Sequence, residues 1–206
     1  MTALPSLIVI TDWSLGEDTL LQRLAQVLPL SPRIAVQHRH PDATGRDFLR
    51  EARLLSGLCG RAGNPLFVNG RLDVALLVGA HLHLPAHGFR PAEVRGQLPE
   101  GALISAAVHD SREAQDAPGA DLYLVSPVFG AGSKPEDTRT PLGVDGYKAL
   151  ALRLSAPAFA LGGITAETAP RLPAAPGYAV ISGVLRAADP RLAALKILAR
   201  GQTLLA

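Results

Sequence analysis

The last quarter of the chain constrains the fold most. Two short apolar runs each end in a small-residue turn, Pro157-Ala-Phe-Ala-Leu-Gly-Gly163 and Tyr178-Ala-Val-Ile-Ser-Gly183. Glycines directly after a buried strand let backbone N–H groups crowd around an anion, and a helix that starts there adds the positive end of its dipole. In a (β/α)8 barrel the loops after the seventh and eighth strands commonly form such a phosphate cradle, so the pair indicates an architecture and a ligand class together. Gly162, Gly163, Ser182 and Gly183 are the expected phosphate-binding residues.

Eight β-like runs precede or include these turns: Leu7–Thr11, Arg33–Gln37, Leu66–Asn69, His81–Leu84, Ala102–Val108, Asp121–Ser126, Pro157–Leu161 and Tyr178–Ser182. Their near-continuous apolar character suits parallel strands covered on both faces, and helical periodicity separates them, as in Leu20, Leu24, Val27 or Leu72, Ala75, Leu76. An open doubly wound sheet is the rival α/β architecture. Eight strands in 206 residues, with no Gly-x-Gly-x-x-Gly turn after the first, favour a closed TIM barrel forming a single domain over 1–206.

Composition narrows the partners. No apolar run approaches the ~20 residues that span a bilayer, and the N-terminus lacks a basic segment followed by a long apolar stretch, so the expectation is a cytoplasmic protein with no membrane partner. The net charge is only +2 and the arginines are scattered rather than clustered with aromatics, which gives no nucleic-acid surface but leaves anionic small molecules compatible. The single cysteine, Cys59, excludes an internal disulfide and shares a helical stripe with Phe48, Ala52 and Leu55, a core position. The longest irregular stretch, Gly130 to Gly143, follows the sixth strand, where a barrel would place it at the mouth as a cover for a ligand.

All six histidines fall between His38 and His109. His38/His40 and His81/His83 alternate along strands, yet no Asp or Glu accompanies either pair, so no metal site is expected. The ordinary expectation is that one member of each pair faces the helices and the other the barrel interior. Arg39 offers a planar fork to an anion and Lys134 a mobile point charge; either is also suited to a solvated loop. Gly130-Ala-Gly-Ser-Lys134 lacks the spacing of a P-loop. Asn69 and His109, at strand ends, suit the orientation of a heteroaromatic ring or the satisfaction of loop backbone groups.

The segments Ile8-Val-Ile-Thr-Asp12, Val36-Gln-His-Arg39, Phe67-Val-Asn-Gly-Arg-Leu-Asp-Val-Ala-Leu76, His83-Leu-Pro, Val108-His109, Gly119-Ala-Asp-Leu-Tyr123, Ser126-Pro-Val-Phe129 and Ala160-Leu-Gly-Gly-Ile164 together resemble the thiamine phosphate synthase/TenI family, in family order across nearly the whole chain. The resemblance implies a barrel of thiamine biosynthesis. One branch joins a pyrimidine diphosphate to a thiazole phosphate using Mg²⁺; the TenI-like branch tautomerises a carboxythiazole phosphate or has lost detectable chemistry.

Where the synthase branch has two Mg²⁺-binding aspartates this chain has Gly70 and Gly88; its lysine is replaced by Pro41 and its strand-five serine by Ala107. The TenI branch's histidine after strand six is Pro127 here. The run Asn69-Gly-Arg-Leu-Asp-Val-Ala-Leu76 with His83-Leu-Pro85 resembles the TenI branch more closely, which implies a TenI-like isomerase that binds a phosphorylated thiazole; with Pro127 in the histidine's place, the substitute catalytic candidates by topology are His109 and His83, with His40 and Lys134 behind them, and Arg39, Asn69 and Ser126 are the substrate-binding candidates. No cofactor is implied, and association into a homo-oligomer is compatible. The rivals are a metal-dependent thiamine phosphate synthase and a non-catalytic protein that binds a thiamine intermediate.

Overall fold

The computed structural model describes residues 3–130, 139–172 and 175–201. Eight strands run β1 Leu7–Ile10, β2 Ile34–His38, β3 Leu66–Asn69, β4 His81–Leu84, β5 Ile104–Val108, β6 Leu122–Val125, β7 Ala158–Leu161 and β8 Tyr178–Val180. Each pairs in parallel with the next, and β8 returns to β1 with Leu7 opposite Tyr178 and Val9 opposite Val180, closing a (β/α)8 barrel. Every strand lies within two residues of the run expected from the sequence. The helices are α1 Glu17–Val27, α2 Gly45–Ala62, α3 Leu72–Val78, α4 Pro91–Val94, α5 Ser111–Asp116, α6 Gly143–Ala151, α7 Ser182–Leu185 and α8 Pro190–Gly201. None of the described helices is long and apolar enough to cross a membrane.

Alternation along the strands builds two cores. Ile8, Ile10, Ala35, Phe67, Leu122, Leu124, Phe159 and Ala179 fill the barrel, while Leu7, Val9, Ile34, Val36, Val68 and Leu82 face the surrounding helices. Leu20, Leu24 and Val27 bury the expected stripe of α1. In α2, Thr44 accepts the N–H of Asp47 as N-cap, Gly63 ends the helix at φ 72°, and Phe48, Ala52, Leu55 and Cys59 face inward. Burial pushes the Cys59 thiol up to about 12, so this cysteine packs rather than reacts. On α3 the expected stripe is partly wrong: Val74 and Ala75 are buried, but Leu76 is 44% exposed. A helix of two turns is too short for periodicity to fix its buried face.

Neither histidine pair is split between helices and interior. His81 and His83 both point into the barrel, as period 2 requires of an unbroken strand. His81 lies 4.9 Å from the Phe67 ring and accepts the Leu103 N–H at 3.1 Å. His38 and His40 both turn outward, toward Trp13 and α2. The His40 ring stacks on Trp13 at 5.4 Å and its Nδ1 lies 3.0 Å from Glu51. His38 is fully buried against Phe48, with Nε2 3.1 Å from the Phe48 carbonyl and Nδ1 without a hydrogen-bond partner among the described residues.

Protonating His38 would place charge on a buried, unpartnered nitrogen, and burial accordingly pushes its pKa down from 6.5 to about 4. Because the unfolded chain takes up this proton first, the contribution to stability is complete above pH 6.5 and is lost as the pH falls toward 4. Burial lowers His81 in the same direction. Urea unfolding is expected to show stability falling across this interval by up to ~3 kcal/mol from His38, with a shallower fall in His38→Gln. An unchanged slope in that variant would contradict the assignment.

Candidate functional site

The C-terminal ends of all eight strands open into one cavity of about 700 Å³. Its floor includes Ile10, Gln37 and Leu124. On three successive strands Asn69, His83 and Ser105 stand side by side, and His83 Nδ1 meets Ser105 Oγ at 2.8 Å. Gln37 is 2% exposed, and its amide oxygen has no hydrogen-bond partner among the described residues. Leaving such a buried acceptor unpaired costs about 1–3 kcal/mol, so the floor is suited to a ligand that brings a donor.

The ring order places β3 and β4 opposite β7 and β8. On the first wall Arg71 and His87 stand beyond β3 and β4, and on the second stand Gly162, Gly163, Ser182 and Gly183; Arg39 and His40 follow β2, which β1 alone separates from β8. Arg39 is half-buried, and its guanidinium has no carboxylate partner among the described residues. Arg71 is held by Asp73 through two hydrogen bonds of 2.9 and 2.6 Å, which neutralises much of its charge. Between the walls, Glu113 accepts from the His109 backbone N–H and meets its Nδ1, both at 2.7 Å, fixing the ring. Glu113 is the one carboxylate among the described lining residues.

Arg39, Asn69, His83, His109, Ser126, Gly162, Gly163, Ser182 and Gly183 thus line one cavity. Lys134 lies outside the described residues, as does 131–138 of the expected covering loop. The sequence reading missed Gln37, Arg71, Ser105, Glu113 and Arg139. Gln37 and Ser105 were within reach of it, since they share inward parity with Ala35 and Ala107. Arg71 and Arg139 carried no such signal, because each lies beyond a strand end.

The glycine turns serve a purpose the sequence reading did not assign. Gly163 has φ +62°, and a Cβ there would lie 2.7 Å from both the Gly130 carbonyl oxygen and Phe129 Cβ. A Cβ on Gly183 would collide with the Ile164 carbonyl. The loops after β6, β7 and β8 therefore pack on one another through these glycines. The expected helix dipole also needs correction, because β7 leads to a 3-10 turn at Ala169–Arg171 and α7 has only four residues. What the second wall offers an anion is local: the N–H groups of Ser182 and Gly183 open α7 and have no intrahelical acceptor.

Magnesium, which the resemblance implies for one branch, finds no fitting donor set. Mg²⁺ requires hard oxygen ligands near octahedral geometry. Gly70 and Gly88 supply no side-chain oxygen, Glu113 is committed to His109, and no group of three or more His, Cys, Asp or Glu among the described residues could hold a metal.

A family model described as thiamine monophosphate synthase matches residues 7–184. The chain is 34% identical over 195 residues to the thiamine-phosphate synthase of Chloroflexus aurantiacus, covering 93% of this chain and 90% of that one. It is 36% identical over 193 residues to that of Methanoculleus marisnigri, covering 91% of each. The solved thiamine phosphate pyrophosphorylase from Pyrococcus furiosus superposes with TM-score 0.82 at 27% identity, over 98% of this chain and 97% of that one. These relatives overturn the expectation of a TenI-like isomerase. Gly70, Gly88 and Pro41 alter one corner of the mouth, whereas the likeness to synthases extends through the barrel.

Gly163→Ala is expected to destabilise the ligand-free protein by about 1–3 kcal/mol, several degrees in Tm, through its backbone strain and its collision with the β6 loop. A thermal melt checks this. A wild-type Tm combined with weakened phosphate binding would return Gly163 to a role confined to the ligand.

Proposed function

We infer the function from one premise: this chain belongs to the thiamine monophosphate synthase family. It acts as a thiamine-phosphate synthase, joining a pyrimidine diphosphate to a thiazole phosphate and releasing pyrophosphate. The observation that supports this reading best is that one cavity takes in both Arg39 beyond β2 and the Ser182–Gly183 turn beyond β8, two separate places for two phosphorylated substrates to meet.

The thiazole phosphate sits against the N–H groups of Ser182 and Gly183 in the turn shaped by Gly162 and Gly163. The diphosphate lies toward Arg39, beyond β2. Asn69, His83 and Ser126 face the rings between them, and Gln37 accepts a hydrogen bond from the pyrimidine at the floor. In the reaction the carbon–oxygen bond to the diphosphate breaks, its electron pair leaves with pyrophosphate, and the thiazole nitrogen lone pair forms the new carbon–nitrogen bond. No proton transfer or redox step is needed to balance it. The protein's contribution is to hold the two rings in line and to meet the charge growing on the leaving group with preorganised donors.

Purified protein given both substrates is expected to form thiamine phosphate and to complement a synthase-deficient strain. Arg39→Ala should lower kcat/KM by about 10²-fold, the scale on which a single electrostatic contact to developing charge acts. Formation no faster than the uncatalysed rate, with failure to complement, would overturn this reading.

A further inference from the structure

Resting on the synthase reading, we propose that this barrel binds its diphosphate substrate through the guanidinium of Arg39 and not through a divalent cation held by protein carboxylates. The decisive feature is the corner beyond β3 and β4. Gly70, the residue after β3, donates its N–H to the His83 carbonyl at 2.8 Å, and Gly88 donates to the Pro85 carbonyl at 2.8 Å. The Pro85 ring stands between them. A Cβ built on Gly70, at φ +69°, would lie 3.6 Å from that ring, and one built on Gly88 would lie 3.1 Å from it. At Gly70 that is ordinary contact and the strain lies in the positive φ, whereas at Gly88 the ring would have to give by a few tenths of an ångström. The Pro85 ring thus borders both positions, and neither glycine carries a side-chain oxygen toward a cation.

The charge around the cavity agrees with this. Arg39, Arg71 and Arg139 line the cavity, and its lone described carboxylate, Glu113, is bound to His109. Asp73 engages Arg71, which leaves Arg39 as the guanidinium beyond β2 and β3 without a carboxylate partner among the described residues. A guanidinium with no carboxylate beside it attracts a diphosphate directly and repels Mg²⁺ that arrives without one. Arginine also matches the geometry, because its planar fork donates two hydrogen bonds to adjacent phosphate oxygens, which are acceptors only.

Calorimetric titration with inorganic pyrophosphate, in EDTA and in excess Mg²⁺, tests the proposal. Pyrophosphate is expected to bind in EDTA at least as tightly as in Mg²⁺, since Mg²⁺ withdraws the charge that Arg39 meets. In EDTA, Arg39→Ala should weaken binding about 10- to 100-fold, the range for a hydrogen bond to a charged group, with Arg39→Lys intermediate and the remote Arg153→Ala unchanged. If Arg39→Ala does not fold, Arg39→Lys and Arg39→Gln carry the comparison. Binding that requires Mg²⁺, no binding under either condition, or wild-type affinity in the Arg39 variants would overturn the proposal. Thiamine phosphate formation is scored separately. A protein that makes it, yet loses pyrophosphate binding in EDTA, keeps the synthase function and contradicts the metal-free site. One that binds pyrophosphate in EDTA but makes no thiamine phosphate supports the site and contradicts the synthase function.

Discussion

The ladder between the first and last strands holds the site together. Leu7, Ile8 and Val9 pair in parallel with Tyr178, Ala179 and Val180, and this contact turns a run of eight strands into a ring. With every strand parallel, all C-terminal ends emerge on one side, so residues far apart in sequence meet at a single mouth. Closure also fixes which strand ends are neighbours and which face each other. Without it, the arginines after β2 and β3 and the glycine-shaped wall after β7 and β8 would have no defined separation.

Within that frame the interior changes character from bottom to top. Phe67, Leu122 and Phe159 fill the barrel, while Asn69, His83 and Ser105 form a polar row nearer the mouth. His83 is buried yet partnered by Ser105, which holds the ring in place without exposing it to water. Gln37 is buried with its amide oxygen unpaired among the described residues, which makes it the point on the floor where a ligand improves the hydrogen bonding. The rim is built from loops that lean on one another. Gly163 and Gly183 are required by that contact before any ligand arrives.

The strands were legible because parallel strands buried on both faces read as unbroken apolar runs, and the barrel followed from their number and spacing. The long stripe of α2 was legible for the same reason, whereas the short α3 was not. The histidine pairs were misjudged because alternation keeps residues two apart on one side, a rule that His81 and His83 obey inside the barrel. The site residues at strand ends were readable from position. Arg71 and Arg139 were not, since loop conformation decides where a side chain beyond a strand will point. The choice of branch went wrong because Gly70, Gly88 and Pro41 belong to a few positions at the mouth, whereas the likeness to synthases runs along more than nine-tenths of the chain. Residues at one corner of a mouth do not by themselves decide which reaction a barrel runs.

The central claim is that one mouth holds two anions in separate places, one beyond β2 and one beyond β8, with arginine in the place of a metal. A crystal structure with thiazole phosphate and pyrophosphate, grown in Mn²⁺ and measured at the manganese absorption edge, addresses it most directly. The account predicts the thiazole phosphate against the N–H groups of Ser182 and Gly183, pyrophosphate against Arg39, and no anomalous peak ligated by protein side chains. Manganese bound to protein carboxylates beside the pyrophosphate, or pyrophosphate away from Arg39, would contradict it.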